Sequence, residues 1–241
     1  MKMQSLIKIE ITDNNYPQQV KFILGKKAPK FLYAMGNLNL LNQDAIGFCG
    51  SRKASEKGME TAEDCSEQAA KNDIVVISGN AAGVDFKAHY SCLKAGGKTI
   101  LVIPEGMNHF RIRKSLELVW DWERVLVISQ FQPDEAWKAF RAMSRNQLII
   151  ALSKAMVVIE AGNNGGTLNA GLETLRLGLK LYVAEYRDMS VDAKGNKALL
   201  DDGATRIIKS KLTNRAKMEH IFDGIRNYKL PLKIEIQQKL F

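Results

Sequence analysis

Three short segments carry residue types suited to holding phosphate: Gly50-Ser51-Arg52, Ser78-Gly79-Asn80-Ala81-Ala82-Gly83-Val84-Asp85, and Gly162-Asn163-Asn164-Gly165-Gly166-Thr167. Glycine lets a ligand come close to the main chain, whose N–H groups then donate to phosphate oxygens. Ser51 adds a hydroxyl, and Arg52 adds a planar guanidinium that pairs with phosphate or stacks on a base. The competing use of Arg52 is a structural ion pair with Glu56. In the second segment Ser78, Gly79 and Gly83, with the two alanines, leave room for a ligand backbone. Asp85 and His89 follow one helical turn apart. Such a pair can act as a general base, but an acid in a first turn also favours the helix dipole. No serine or cysteine nucleophile is spaced beside it, so a structural hydrogen bond or cap is expected. Gly165, Gly166 and Thr167 form an anion nest; no lysine follows the glycine pair, which separates it from a Walker A loop.

Two basic segments accompany the turns. Arg145 and Asn146 precede an apolar run, which predicts that they lie near the exposed start of a helix. Arg111, Arg113 and Lys114 follow His109-Phe110. A basic groove with an aromatic beside it suits single-stranded nucleic acid, whose bases stack and whose phosphates are tracked by cations. Partial burial of Phe110 under its loop is the alternative use of that ring.

The elements that would position these residues alternate. Strands are expected at 45–49, 74–78, 99–103, 125–129, 156–160, 180–184 and 205–208. Helices are expected at 56–71, 84–95, 112–120, 135–152, 167–178 and 196–201. This order predicts an α/β fold, a mostly parallel sheet with helices on both faces. Ile74-Val75-Val76-Ile77 and Met156-Val157-Val158-Ile159 are continuous apolar runs, as strands buried on both faces are. Each glycine turn then closes a strand and opens a helix, so the three converge on one sheet edge. Residues 1–43, with Tyr16-Pro17 and Ala28-Pro29 breaking the pattern, are expected as an N-terminal element packed on the core, including a short strand from Phe31. Residues 44–210 form the α/β domain, and 211–241 a short basic tail with one helix.

Composition bounds the partners. The 241 residues carry a formal net charge of +9, which fits either a polyanionic partner or solubility through excess lysine. No apolar run reaches membrane-spanning length, and charges interrupt Leu6-Ile7-Lys8-Ile9-Glu10, so neither a span nor a signal peptide is expected. Cys49, Cys65 and Cys92 have no metal-ligand spacing and are odd in number, which predicts reduced thiols and a cytoplasmic protein. No cofactor is expected.

The order of these segments resembles the DNA-processing protein A family (DprA, also called Smf). The resemblance runs through Tyr16-Pro17, the stretch from Pro29 to Leu38, Gly50-Ser51-Arg52, Ser78 to Asp85 with Ala88-His89, and Arg145-Asn146. It continues through Val158-Ile159-Glu160-Ala161, Gly166-Thr167-Leu168, Gly195-Asn196, Leu199-Leu200 and Gly203-Ala204, covering roughly residues 14 to 206. The chain departs from the family pattern at Phe110-Arg111, where Tyr-Pro is usual, at Gln147, where arginine is frequent, and at Asn164-Gly165-Gly166, where a serine is common. It is expected to be the core alone, without a C-terminal winged helix or an N-terminal helical domain. The resemblance implies an extended Rossmann-like domain that binds single-stranded DNA without enzymatic chemistry and commonly acts as a homodimer. It implies protection of the strand and its transfer to a RecA-type recombinase in DNA uptake, or a related defence role. Arg52 with Ser51, Gly79, Gly166 and Thr167 would then lie at the DNA phosphates, flanked by 111–114.

The alternative is a small-nucleotide sensor, or an enzyme resembling the nucleotide phosphoribohydrolases of the same superfamily. Those enzymes place a glutamate directly after a Gly-Gly-x-Gly-Thr loop, whereas the first acid after Thr167 is Glu173. One and a half helical turns rotate it away from the loop.

Overall fold

The structure is a computed structural model describing residues 4–186 and 193–230. Among the described residues nine strands form one sheet: β1 (Ile7–Glu10), β2 (Phe31–Gly36), β3 (Ala45–Cys49), β4 (Val75–Ser78), β5 (Thr99–Val102), β6 (Val125–Ser129), β7 (Ala155–Val158), β8 (Lys180–Ala184) and β9 (Thr205–Ile207). Their order is β1-β2-β6-β5-β4-β3-β7-β8-β9. All pairings from β6 to β9 are parallel, with Ile46 opposite Val76 on one side and Ala155 on the other. The chain starts this parallel sheet at β3, winds outward through β4 and β5 to β6, then crosses back to continue at β7 on the other side of β3.

Seven α-helices cover the sheet among the described residues: α1 (Gln18–Leu24), α2 (Glu56–Lys71), α3 (Val84–Lys94), α4 (Ala139–Leu152), α5 (Gly166–Arg176), α6 (Lys194–Asp201) and α7 (Glu219–Arg226). Strand residues alternate between two cores, as the pleat requires. Ala45, Val75, Ile77, Ile100 and Val158 face one core, with Val20 of α1, Leu148 and Leu152 of α4 and Leu199 of α6. Ile46, Phe48, Val76 and Val157 face the other, with Cys65 and Ala69 of α2, Ala88 and Cys92 of α3 and Phe222 of α7. Covering both faces is why these strands are apolar throughout.

Residues expected as an N-terminal element extend the sheet itself. β2 pairs antiparallel with β6, and β1 with β2. Within 211–241 the described part holds α7, whose Ile221, Phe222 and Ile225 are buried; the basic end at 231–241, like residues 1–3 and 187–192, lies outside the described residues. The helix expected at 112–120 is instead a loop with one 3-10 turn at Lys114–Leu116. Its neighbours Phe110 and Leu116 are buried, and Phe110 joins Ile103, Met107 and Val127 in a small third core that holds the loop without helical periodicity. Among the described residues, no helix is long and apolar enough to cross a membrane. All three cysteines are free.

Candidate functional site

The turns after β3, β4 and β7 lie on three adjacent parallel strands and therefore at one sheet edge. The direction in which successive strands are added reverses between β3 and β7, which makes this the switch point where open α/β sheets bind ligands. The first two turns interlock. Val84 N–H donates to Ser51 O at 3.2 Å. Gly83, the N-cap of α3, has φ +75°, and a Cβ there would lie 2.7 Å from the Arg52 carbonyl carbon. Ser51 Oγ accepts from Lys53 N at 3.1 Å and keeps its own proton for another acceptor. Ser55 caps α2 and donates its N–H to Glu160 Oε2 at 2.8 Å, with its hydroxyl on Oε1. Glu160 is buried just beyond β7, so the start of α2 both seats an anion and ties the first turn to the base of the third.

Arg145 corrects an expectation. The helix starts at Ala139, so Arg145 sits in its middle, 6 % exposed, instead of at an open helix end. One Nη donates to Val102 O; Nε has no hydrogen-bond partner among the described residues. Burial holds its guanidinium below the usual arginine range, with Asp85 and Glu105 pulling the other way. Gly79 must be glycine for this arrangement: a Cβ would lie 2.6 Å from Arg145 Nη2 and would overlap Asp85 Oδ2. Ser78 corrects another expectation. Its hydroxyl is buried and donates to Phe48 O at 2.7 Å, tying β4 to β3, so it faces the interior instead of a ligand.

Asp85 and His89 have separate structural duties. Asp85 Oδ2 accepts from Ala81 N at 3.2 Å. His89 Nε2 lies 2.7 Å from Gly79 O and Nδ1 2.6 Å from Thr99 Oγ1. Burial lowers its pKa to about 4, which leaves the ring neutral at pH 7 and Nε2 as the proton bearer toward the Gly79 carbonyl.

Beside the interlocked turns is a cavity of about 330 Å³ lined by Arg52, Asn80, Glu105, Arg113, Trp137 and Arg145. Arg52 is exposed and makes no ion pair among the described residues, with Glu56 or any other acid. Arg113 is aimed by Asn80, whose Oδ1 accepts from Nε at 3.1 Å while its carbonyl accepts from Nη2. Burial pushes the Glu105 carboxyl above the usual carboxylate range. Of the remaining expected cations, Lys114 is exposed and Arg111 donates to the carbonyls of Asn108 and Phe110 in its own loop; neither lines the cavity. Phe110 is 7 % exposed and packs toward Trp120, so it offers no stacking face. Among the described residues, the exposed rings are Trp137, at 52 %, and Phe140, at 64 %. The signal for them was their place ahead of the Arg145 segment, in a stretch expected as helix from 135 whose helix begins only at Ala139.

The third turn is open. Gly165 has φ +103°, and Asn163, Asn164 and Gly165 are exposed. Gly166 and Thr167 begin α5, with Asn146 Nδ2 and Met143 Sδ of α4 close to Gly166. Its base is fixed by Asn196, which accepts from Ala161 N at 2.7 Å and donates to Ile159 O and Ala184 O. A groove of about 410 Å³ between α4 and α5 runs past Met143, Asn146 and Asn169 to Glu173. Arg176 and Gln147 hold the Glu173 carboxyl below its usual range. A larger cavity, about 880 Å³, lies along β8 and β9 by Tyr186 and Lys209, away from the glycine turns.

A family model described as DNA recombination-mediator protein A matches residues 8–216. The chain is 30% identical over 204 residues to DNA processing protein DprA of Streptococcus pneumoniae, covering 84% of this chain and 71% of that one. It is 27% identical over 206 residues to DprA of Bacillus subtilis, covering 85% and 69%. The solved structure of the pneumococcal protein superposes with a TM-score of 0.74 at 28% identity, over 84% of this chain and 71% of that one. DNA processing protein A from Helicobacter pylori, solved in a study of its single-stranded DNA binding mode, shares the fold with a TM-score of 0.74 at 22% identity, over 93% and 98%.

Proposed function

This chain belongs to the DNA recombination-mediator protein A family, and on that premise we propose that it binds single-stranded DNA across the switch-point edge of its sheet, without chemistry on the strand. The carrying observation is the joint placement of Arg52, Arg113 and Arg145 around one cavity at that edge, with Trp137 on its rim. Phosphate is tracked by Arg52 and by the N–H groups of the first and third turns, at Gly50, Ser51, Gly165, Gly166 and Thr167. Bases stack on Trp137 and Phe140, each stacked base contributing about 1–3 kcal/mol. Arg111 and Lys114 add long-range attraction at the flank. The +9 charge supports the same reading.

A binding role, as opposed to catalysis, is supported by the commitments of the candidate catalytic groups: His89 and Asp85 are held by the main chain and Thr99, and Glu173 by Arg176 and Gln147. Protection of the strand, delivery to a RecA-type recombinase and action as a cytoplasmic homodimer in DNA uptake are part of the same proposal, supported by the family and not by the geometry of the site.

Fluorescence anisotropy with labelled oligo(dT) tests the proposal. Affinity is expected to fall steeply with salt. Arg52→Ala is expected to weaken binding about tenfold and to reduce the salt slope by about 1, with the melting temperature unchanged. No binding at low salt sinks the proposal; unchanged affinity in a folded Arg52→Ala protein removes the first turn from the path of the strand.

A further inference from the structure

Three guanidiniums meet at the switch-point cavity, and one of them is almost fully buried. Arg52, Arg113 and Arg145 line it against one carboxylate, Glu105. Asp85 stands behind Gly79 and is engaged by Ala81 N. Arg145 is 6 % exposed, makes no ion pair among the described residues, and leaves Nε without a partner. Asp85 and Glu105 lie near enough to offset part of the Arg145 charge, yet neither hydrogen-bonds it, and three guanidiniums outnumber these two carboxylates, so an anion entering the cavity would supply the remaining partner. Arg113 is aimed beforehand by Asn80, and Arg52 is free to close from the solvent side.

We infer that this cavity is a phosphomonoester subsite, taking the terminal phosphate of a DNA strand or of a free nucleotide. A monoester carries a charge near −2 and three acceptor oxygens, whereas an internal diester carries one charge. An internal phosphate also brings a sugar on each side; a terminal one is bare on one side and can reach a buried guanidinium at the bottom of a pocket. The volume, about 330 Å³, is at the small end of ligand pockets and suits a single nucleotide end. Trp137 on the rim would stack the base next to that phosphate. The strand-end form of this subsite rests on the DNA-binding reading above; the nucleotide form does not.

The test compares four oligo(dT) probes of equal length at one salt concentration: 5′-phosphorylated, 3′-phosphorylated, unphosphorylated and circular. Calorimetry with dTMP and thymidine runs in parallel. One phosphorylated end is expected to bind about tenfold tighter than the hydroxyl end and the circle, a gain typical of one added charge-assisted contact. The preference is expected to disappear in Arg113→Gln, and in Arg145→Lys where that variant folds. dTMP binding above thymidine, lost in Arg113→Gln, supports the subsite even where no strand binds, an outcome that would remove the DNA reading. Equal affinity for all four strands, with no dTMP binding, overturns the subsite and leaves DNA binding standing.

Discussion

Gly83 and Gly166 both stand at helix N-termini on one edge of the sheet, the first at the start of α3 and the second at the start of α5. A side chain at Gly83 would collide with main-chain atoms of Ser51 and Arg52. One at Gly166 would find Met143 Sδ at 3.6 Å and Asn146 Nδ2 at 3.9 Å, ordinary contact distances. The cradle formed by the first two turns thus uses its glycines to let protein pack on protein. The third turn needs only one conformational glycine, Gly165 at φ +103°, and leaves its main chain open to solvent. The two regions divide the work: one is rigid and aims arginines, the other presents N–H groups.

The largest expected effect lies in the rigid region. Gly83→Ala must place a Cβ against the first turn at a backbone conformation that L residues rarely adopt. A cost of about 3–5 kcal/mol is expected, or about 10 °C or more in melting temperature. Thermal and urea unfolding measure it. A cost under about 1 kcal/mol would show that the two turns yield independently and would dissolve the contrast with the third.

Next in size is acid sensitivity of the same cradle. His89 titrates at about 4 when folded and about 6.5 when unfolded, because burial disfavours its charged form. Between these values the unfolded chain binds the extra proton, so stability rises with pH across that window. The contribution is complete above about pH 6.5 and is lost as the pH falls toward 4, amounting to roughly 2–3 kcal/mol. Urea unfolding at pH 4.5 and pH 7 should show this slope in the native protein and lose it in His89→Gln. An unchanged slope would place the acid sensitivity elsewhere.

How far these regions could be read from sequence follows the same division. Strands β3, β6 and β8 and helix α2 fall at the bounds expected from the alternation of short apolar runs and helical segments, since burial on both faces leaves an unmistakable pattern. β1 was not expected, because only Ile9 among its four residues is buried. Arg145 and Ser78 were read as surface groups because arginine and serine usually are; both are interior ties whose partners, Val102 O and Phe48 O, come from strands that residue spacing along the chain does not bring into view. Phe110 was weighed as a stacking ring for a related reason. A ring next to basic residues looks exposed until the Trp120 loop folds over it; Phe140 stays 64 % exposed, with the Arg141 guanidinium over its ring.

The smallest expected effect on stability belongs to the open region and is the most discriminating. Gly166→Ala sits at the first position of α5, where alanine is a better helix former and loses less chain entropy on folding. The added methyl meets no atom closer than 3.6 Å. Stability is expected to stay constant or rise by up to about 1 kcal/mol. The same methyl projects toward Asn146 at the mouth of the α4–α5 groove. If the third turn cradles a DNA phosphate through its main-chain N–H groups, anisotropy should show a severalfold loss of oligo(dT) affinity in a protein no less stable than the native one. Loss of affinity together with loss of stability would make the third turn a structural device like the first two. Full affinity with unchanged stability would confine the strand to Arg52, Arg113 and the Trp137 rim, and the edge would then carry one binding turn pair instead of three cooperating turns.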